Sequence, residues 1–194
     1  MKNGILIGLG VVVLLVLVLL LSTVGIYNRL VTLREGVDAA WAQVETVLQR
    51  RYDLIPNLVN TVKGYAEHEK GLLEEVTRLR SQWGSAGSVD EKVKAAGALE
   101  GTLSRLLLVA ERYPDLKASQ NFRDLQYELS GTENRISVER QRYNEAVRAY
   151  NTAIRRFPAS MVAGLCGFTA DKTYFEAASQ AKEAPKVDFG QEKK

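Results

Sequence analysis

One cysteine and one histidine among 194 residues leave little material for metal or nucleophile chemistry. Cys166 has no partner for an internal disulfide, and an apolar neighbourhood with no histidine nearby predicts a buried, inert thiol. His68-Glu69 begins like H-E-x-x-H, but Leu72 stands where the second histidine belongs, so no zinc pair forms. The formal net charge of +3 is too small to imply nucleic acid as a partner. Proline occurs four times, which leaves long stretches free of helix breakers. Glu74-Glu75, Asp90-Glu91 and Arg50-Arg51 read as solvated helix charges. No catalytic, cofactor-binding or metal-ligating residue is expected, and no cofactor.

Charge is also missing from 5–26, where Leu, Val and Ile dominate. As a helix, a run of that length rises about 33 Å and matches a hydrocarbon core of roughly 30 Å. A core helix of a soluble protein would keep a polar face, and this run has none. A cleaved signal peptide is the rival reading. Its apolar region would be shorter, and an Ala-x-Ala cleavage signal would follow. The expectation is therefore a single-pass anchor over residues 1–27, a bundle over 28–184 and a loose tail over 185–194. Lys2 and the amino terminus balance Arg29 and Arg34, so basic residues do not orient the span. Met1-Lys2-Asn3 has the form of a signal-type leader, which places the bulk of the chain outside the cytoplasm. Gly4 and Gly8 have G-x-x-x-G spacing, which is equally explained by the frequency of glycine in membrane spans.

Beyond the span, apolar residues recur at helical intervals. Leu30, Val37, Val44, Leu58, Tyr65, Leu72 and Leu79 make one row, and Trp41, Leu48, Ile55, Val62 and Val76 a second. The rows keep their phase across Pro56, which predicts a kink within a continuing helix. Gly84-Ser85-Ala86-Gly87 marks a loop, and Ser88 with Glu91 a capping box. A second helix carries Val93, Ala96, Leu99, Leu103, Leu106, Leu107 and Ala110. It stops at Tyr113-Pro114-Asp115, with Asp115 as the next N-cap. A third, from about Leu116 to Phe157, repeats Phe122, Leu129, Ile136, Tyr143, Tyr150 and Phe157 every seven residues, widened by Leu125, Val147 and Ile154. Glu139 with Arg142, and Glu145 with Arg148, fall three apart on its outer surface. The dipeptides Tyr143-Asn144 and Tyr150-Asn151 share a face, where tyrosine would cap the core and asparagine bond across helices. A short helix is expected over 170–181. The fold class is all-α, an N-terminal transmembrane helix followed by an antiparallel bundle of three long helices, without β-strand.

Longer strings carry more. Tyr27-Asn28, Leu30-Val31, Val37-Asp38, Ala40-Trp41-Ala42-Gln43-Val44-Glu45 and Leu48-Gln49-Arg50-Arg51-Tyr52-Asp53-Leu54-Ile55-Pro56-Asn57-Leu58 resemble the LemA family of bacterial membrane proteins. So do Tyr113-Pro114, Leu116-Lys117-Ala118, Asn121-Phe122, Leu125-Gln126, Glu128-Leu129, Thr132-Glu133-Asn134-Arg135-Ile136 and the stretch from Tyr143-Asn144 to Phe157-Pro158. The resemblance covers nearly the whole chain and implies an N-terminal anchor with an antiparallel bundle, in a bacterial cytoplasmic (inner) membrane. It implies no enzyme. Some members take part in magnetosome membrane formation, and others are encoded beside membrane proteases or a TPM-type domain protein.

Two functional classes follow. One is a structural protein that self-associates and organises or remodels its membrane. The other is an adaptor for another membrane protein, such as a membrane protease. Trp41, Tyr65, Trp83 and the stretch Met161–Phe168 exceed what one small core needs. A homo-oligomer held by such patches is expected, weakened when Met161–Phe168 is made polar.

Overall fold

The computed structural model describes residues 2–170 and 173–175. All regular structure among them is helical: α1 (Lys2–Lys63), a 3-10 turn (Glu67–Glu69), α2 (Lys70–Ser85), α3 (Val89–Ala110), α4 (Pro114–Ala118), α5 (Gln120–Arg155) and α6 (Ala159–Leu165). The expected tail over 185–194 lies outside the described residues.

The apolar run and the first bundle helix are one helix. α1 holds 62 residues with Pro56 inside it. Its N-terminal part contains an 18-residue window of mean hydropathy 3.0, none of it buried inside the molecule. Burial begins at Leu30 and continues through Val37, Val44, Leu48, Tyr52, Ile55, Leu58 and Val62. Those spacings of three, four and seven place the residues on one stripe.

α1 does not run on towards Trp83, as the periodicity alone predicts. It ends at Lys63, after which the N–H groups of Tyr65 and Ala66 both donate to the Val62 carbonyl. The chain then turns back, and α2 restarts the stripe in a shifted phase. Leu73, Val76, Leu79 and Trp83 are buried, Leu72 is half-buried, and Tyr65 is 47% exposed. The reversal lets α2 cover α1, whereas a continuous helix would leave both stripes open.

Ser88 caps α3 by accepting from the Glu91 N–H, and the Glu91 carboxylate accepts from the Gly87 N–H. Pro114 takes the first turn of α4, where its missing N–H is harmless. Tyr113, not Asp115, occupies the N-cap position. The last long helix is also divided. Ser119 is extended between α4 and α5, and α5 ends at Arg155. Phe157 therefore leaves the heptad and is 80% exposed. Ser130-Gly131-Thr132 stays helical within α5.

α5 lies antiparallel along α1, with Tyr143 against Trp41 and Glu133 against Arg51. α2 and α3 add their layers only beside the distal part of α1, through Arg80 to Tyr52 and Lys92 to Glu45. The bundle is thus four-helical far from the apolar run. Nearer to it the bundle narrows to α1 and α5, braced by α6, Thr169 and Phe175.

Candidate functional site

Two groupings of polar side chains are positioned by α5. The first is a charged layer inside the four-helix part. Arg51 falls on the buried stripe of α1 and is only 8% exposed, contrary to the solvated face expected of it. Its guanidinium pairs with Glu133 of α5. Two turns along α5, Arg140 pairs with Glu100 of α3 at 2.9 Å. Burial lowers the Arg51 pKa from its usual value, partly offset by Glu100. Burial likewise pushes the neighbouring Tyr52 hydroxyl up. Tyr52 meets Trp83 edge to face at 4.3 Å, so Trp83 belongs to the core and not to a surface patch. Arg80 of α2 donates to the Tyr52 carbonyl at 3.0 Å. Charged groups at core positions of facing helices fix which helix meets which, and in what register.

Part of this layer was visible in the sequence. Glu133 and Arg140 stand on the second row of the α5 heptad, in step with Val147 and Ile154. Arg51 stands between Leu48 and Ile55 on the α1 stripe. A charge on an apolar row is the signal. Glu100, the partner of Arg140, likewise stands in step with Val93 and Leu107 on α3.

The second place is a clamp on the chain after α6. The Asn144 side chain donates to the Phe175 carbonyl and accepts from the Phe175 N–H, both at 2.9 Å. Tyr150 donates to the Thr169 carbonyl at 3.0 Å, and Asn151 to the Tyr174 hydroxyl at 3.2 Å. Phe175 then stacks on Trp41 and meets Tyr143 edge to face. The Tyr-Asn pairs do share a face, but their bonds reach the returning segment, not a neighbouring helix. Ala170 and residues 173–175 are not helical, and the remainder of the helix expected over 170–181 lies outside the described residues.

The other singled-out residues are scattered. His68 is exposed at the distal turn. Cys166 is exposed just past α6, not buried. Glu74 lies near Lys70, Glu75 pairs with Arg105, and Asp90 accepts from the Thr173 hydroxyl. Among the described residues no three His, Cys, Asp or Glu side chains gather as metal ligands would.

Two of the concavities bear on function. A polar groove of about 560 Å³ between Glu100, Arg140, Asn144 and Arg148 carries both signs of charge. A larger, more apolar groove of about 1070 Å³ lies at the distal end, between Val59 and Lys63 of α1 and Leu73, Thr77 and Ser81 of α2. At the opposite end Tyr27, the first residue past the apolar run, meets Phe168 edge to face at 5.7 Å. α6 buries Val162 and Ala163 and leaves Met161 62% and Leu165 87% exposed.

This geometry is that of a membrane-associated helical protein, and the comparisons agree. The chain is 25% identical over 176 residues to the magnetosome protein MamQ of Magnetospirillum gryphiswaldense, covering 77% of this chain and 65% of that protein. It is 26% identical over 168 residues to MamQ 2 of Paramagnetospirillum magneticum, covering 73% and 62%. It is 26% identical over 167 residues to the protein LemA of Metamycoplasma hominis, covering 85% and 74%. The match thus takes in a little under two thirds of the length of these MamQ proteins. The pattern of the LemA family matches residues 40–189, most of the chain and all of the bundle beyond Ala40 that the structure describes; the chain belongs to the LemA family.

Proposed function

We propose that this protein is a non-enzymatic, membrane-anchored structural protein that self-associates and organises or remodels the membrane holding it. The observation that carries this is the continuity of α1. One helix leaves the apolar run and forms the spine of the bundle without an intervening loop. From Ile26 to Lys63 it rises about 56 Å, so the bundle stands off the bilayer at a fixed spacing. Copies anchored in one bilayer are confined and share an orientation, so weak lateral contacts act at high effective concentration. Relatives named as magnetosome proteins support the membrane-organising part. The proposed location is the bacterial cytoplasmic membrane with the bundle outside the cytoplasm, to be tested by protease access in spheroplasts. The test of function is molecular mass by light scattering after detergent extraction, with electron microscopy of the same particles. Large ordered assemblies are expected. A strict monomer over a wide concentration range removes the self-association.

A second reading is an adaptor for another membrane protein. The distal groove favours it, because Val59 and Leu73 there are framed by Lys63, Lys70, Glu74 and Arg78 at the end remote from the apolar run. A monomer that binds a membrane protease stoichiometrically would support this reading over the first.

A further inference from the structure

The end of the bundle beside the apolar run has an apolar surface that its own fold leaves uncovered. α5 stops at Arg155, and the chain turns through exposed Phe157 into α6. Val162 and Ala163 hold α6 against the bundle. Met161 and Leu165, one helical turn apart, share its outer face and are both exposed. Cys166 follows directly and is exposed as well.

The height of this surface is set by register. Tyr143 faces Trp41. Equal steps onward along α5 and back along α1 bring Phe157 level with Tyr27. The Tyr27–Phe168 contact fixes the same level from the other side of α6. Phe157 and α6 therefore sit where α1 leaves its apolar run. Charge points the same way. Residues 1–34 and 146–170 contain no Asp or Glu. Arg29, Arg34, Arg155 and Arg156 are all exposed.

We propose that this end is a lipid-docking surface: Phe157, Met161 and Leu165 enter the interfacial layer of the bilayer that α1 spans, and Arg155 and Arg156 lie against anionic headgroups. The inference rests on α1 being a membrane span, as in the proposed function, but not on self-association. An apolar face bordered by arginine is the composition of interfacial helices. A second copy fits less well. Two copies meeting through this face would bring like charges together, with no Asp or Glu in residues 1–34 or 146–170 to offset them.

The lone cysteine offers the probe. The full chain, labelled at Cys166 with an environment-sensitive fluorophore, is placed at one copy per nanodisc of phosphatidylcholine mixed with phosphatidylglycerol. The expected result is a blue-shifted emission, quenched by nitroxides carried near the lipid headgroups. The same label on Tyr127→Cys in a Cys166→Ser background reports water, since Tyr127 is exposed on distal α5. Met161→Asn with Leu165→Asn, both outside the core, leaves the melting temperature unchanged and returns the Cys166 label to a water-like signal. Less quenching is expected in phosphatidylcholine alone. A water-like signal in the unmodified chain overturns the proposal. So does shielding that appears only with several copies per disc, which would make the surface a contact between copies. Shielding untouched by the Met161 and Leu165 changes overturns it too. Light scattering of the same samples reads self-association separately, so the failure of one idea is not taken for the failure of the other.

Discussion

Arg51 carries its charge into the centre of the four-helix layer, where Glu133 is its direct partner. Glu133 is itself 38% exposed in its side chain, so water screens the pair and moderates its strength. Glu133→Ala is expected to cost on the order of 1–2 kcal/mol, since a buried guanidinium loses its bonded partner while Glu100 remains near. Glu139→Ala is expected to cost less than about 1 kcal/mol, because its partner Arg142 is a solvated surface cation. Urea titration of both variants checks the order. Tyr143 makes the fold sensitive to alkali. Burial, with Asp90 and Asp38 nearby, raises its pKa from 10.0 to about 12. The folded chain keeps this proton where the unfolded chain has begun to lose it. Stability from this group is therefore full below pH 10 and falls as pH rises from there towards 12. Tyr52 is shifted in the same direction, chiefly by burial. Melting temperatures measured across that range should decline, and less steeply for Tyr143→Phe.

The helices separate what apolar periodicity reveals from what it does not. Leu129 and Ile136 are buried on α5, as their heptad requires. Changing either to Asp is expected to cost more than about 4 kcal/mol and to unfold the bundle, read by thermal melts beside Glu139→Ala. Periodicity reports which face is buried but is insensitive to reversals that preserve an apolar spacing. Leu58 and Tyr65 are seven apart, yet α1 ends between them at Lys63, and α2 packs back on α1. The division at Ser119 leaves no mark in the periodicity for a like reason, since Leu116 and Phe122 are both buried on either side of it. Cys166 looked buried because its neighbours are apolar, but a seven-residue helix hides one face and shows the other. The clamp was half legible: Tyr143-Asn144 and Tyr150-Asn151 marked the face, while their partners lie in an irregular segment that has no period. Asn144→Ala should free that segment by removing both bonds to Phe175. Faster proteolysis beyond Phe168, with little change in global melting, is the expected readout.

For the whole molecule, the all-helical fold followed directly from composition and periodicity, and circular dichroism should show helix with no appreciable strand. The layering did not follow. Three apolar segments were evident, but a fourth wall arises only because the first segment is cut in two. The four helices are gathered at the end remote from the apolar run, and a two-helix neck joins them to it. Assembly should therefore depend on the wide distal part. Polar replacement of exposed Leu108 and Tyr127 is expected to reduce the mass seen by light scattering more than replacement of Met161 and Leu165 does.

With α1 spanning a bilayer as proposed, its continuity also makes the molecule a lever. A span answers a change in bilayer thickness by tilting, and with no hinge at the membrane surface the bundle must swing with it. Over a rise of about 56 Å, a tilt of roughly 10° moves the distal end by about 10 Å. Thickness sensed among lipid tails would thus be converted into displacement far outside them. Energy transfer from a probe near Gly84 to a bilayer dye, in lipids of increasing chain length, would register that motion.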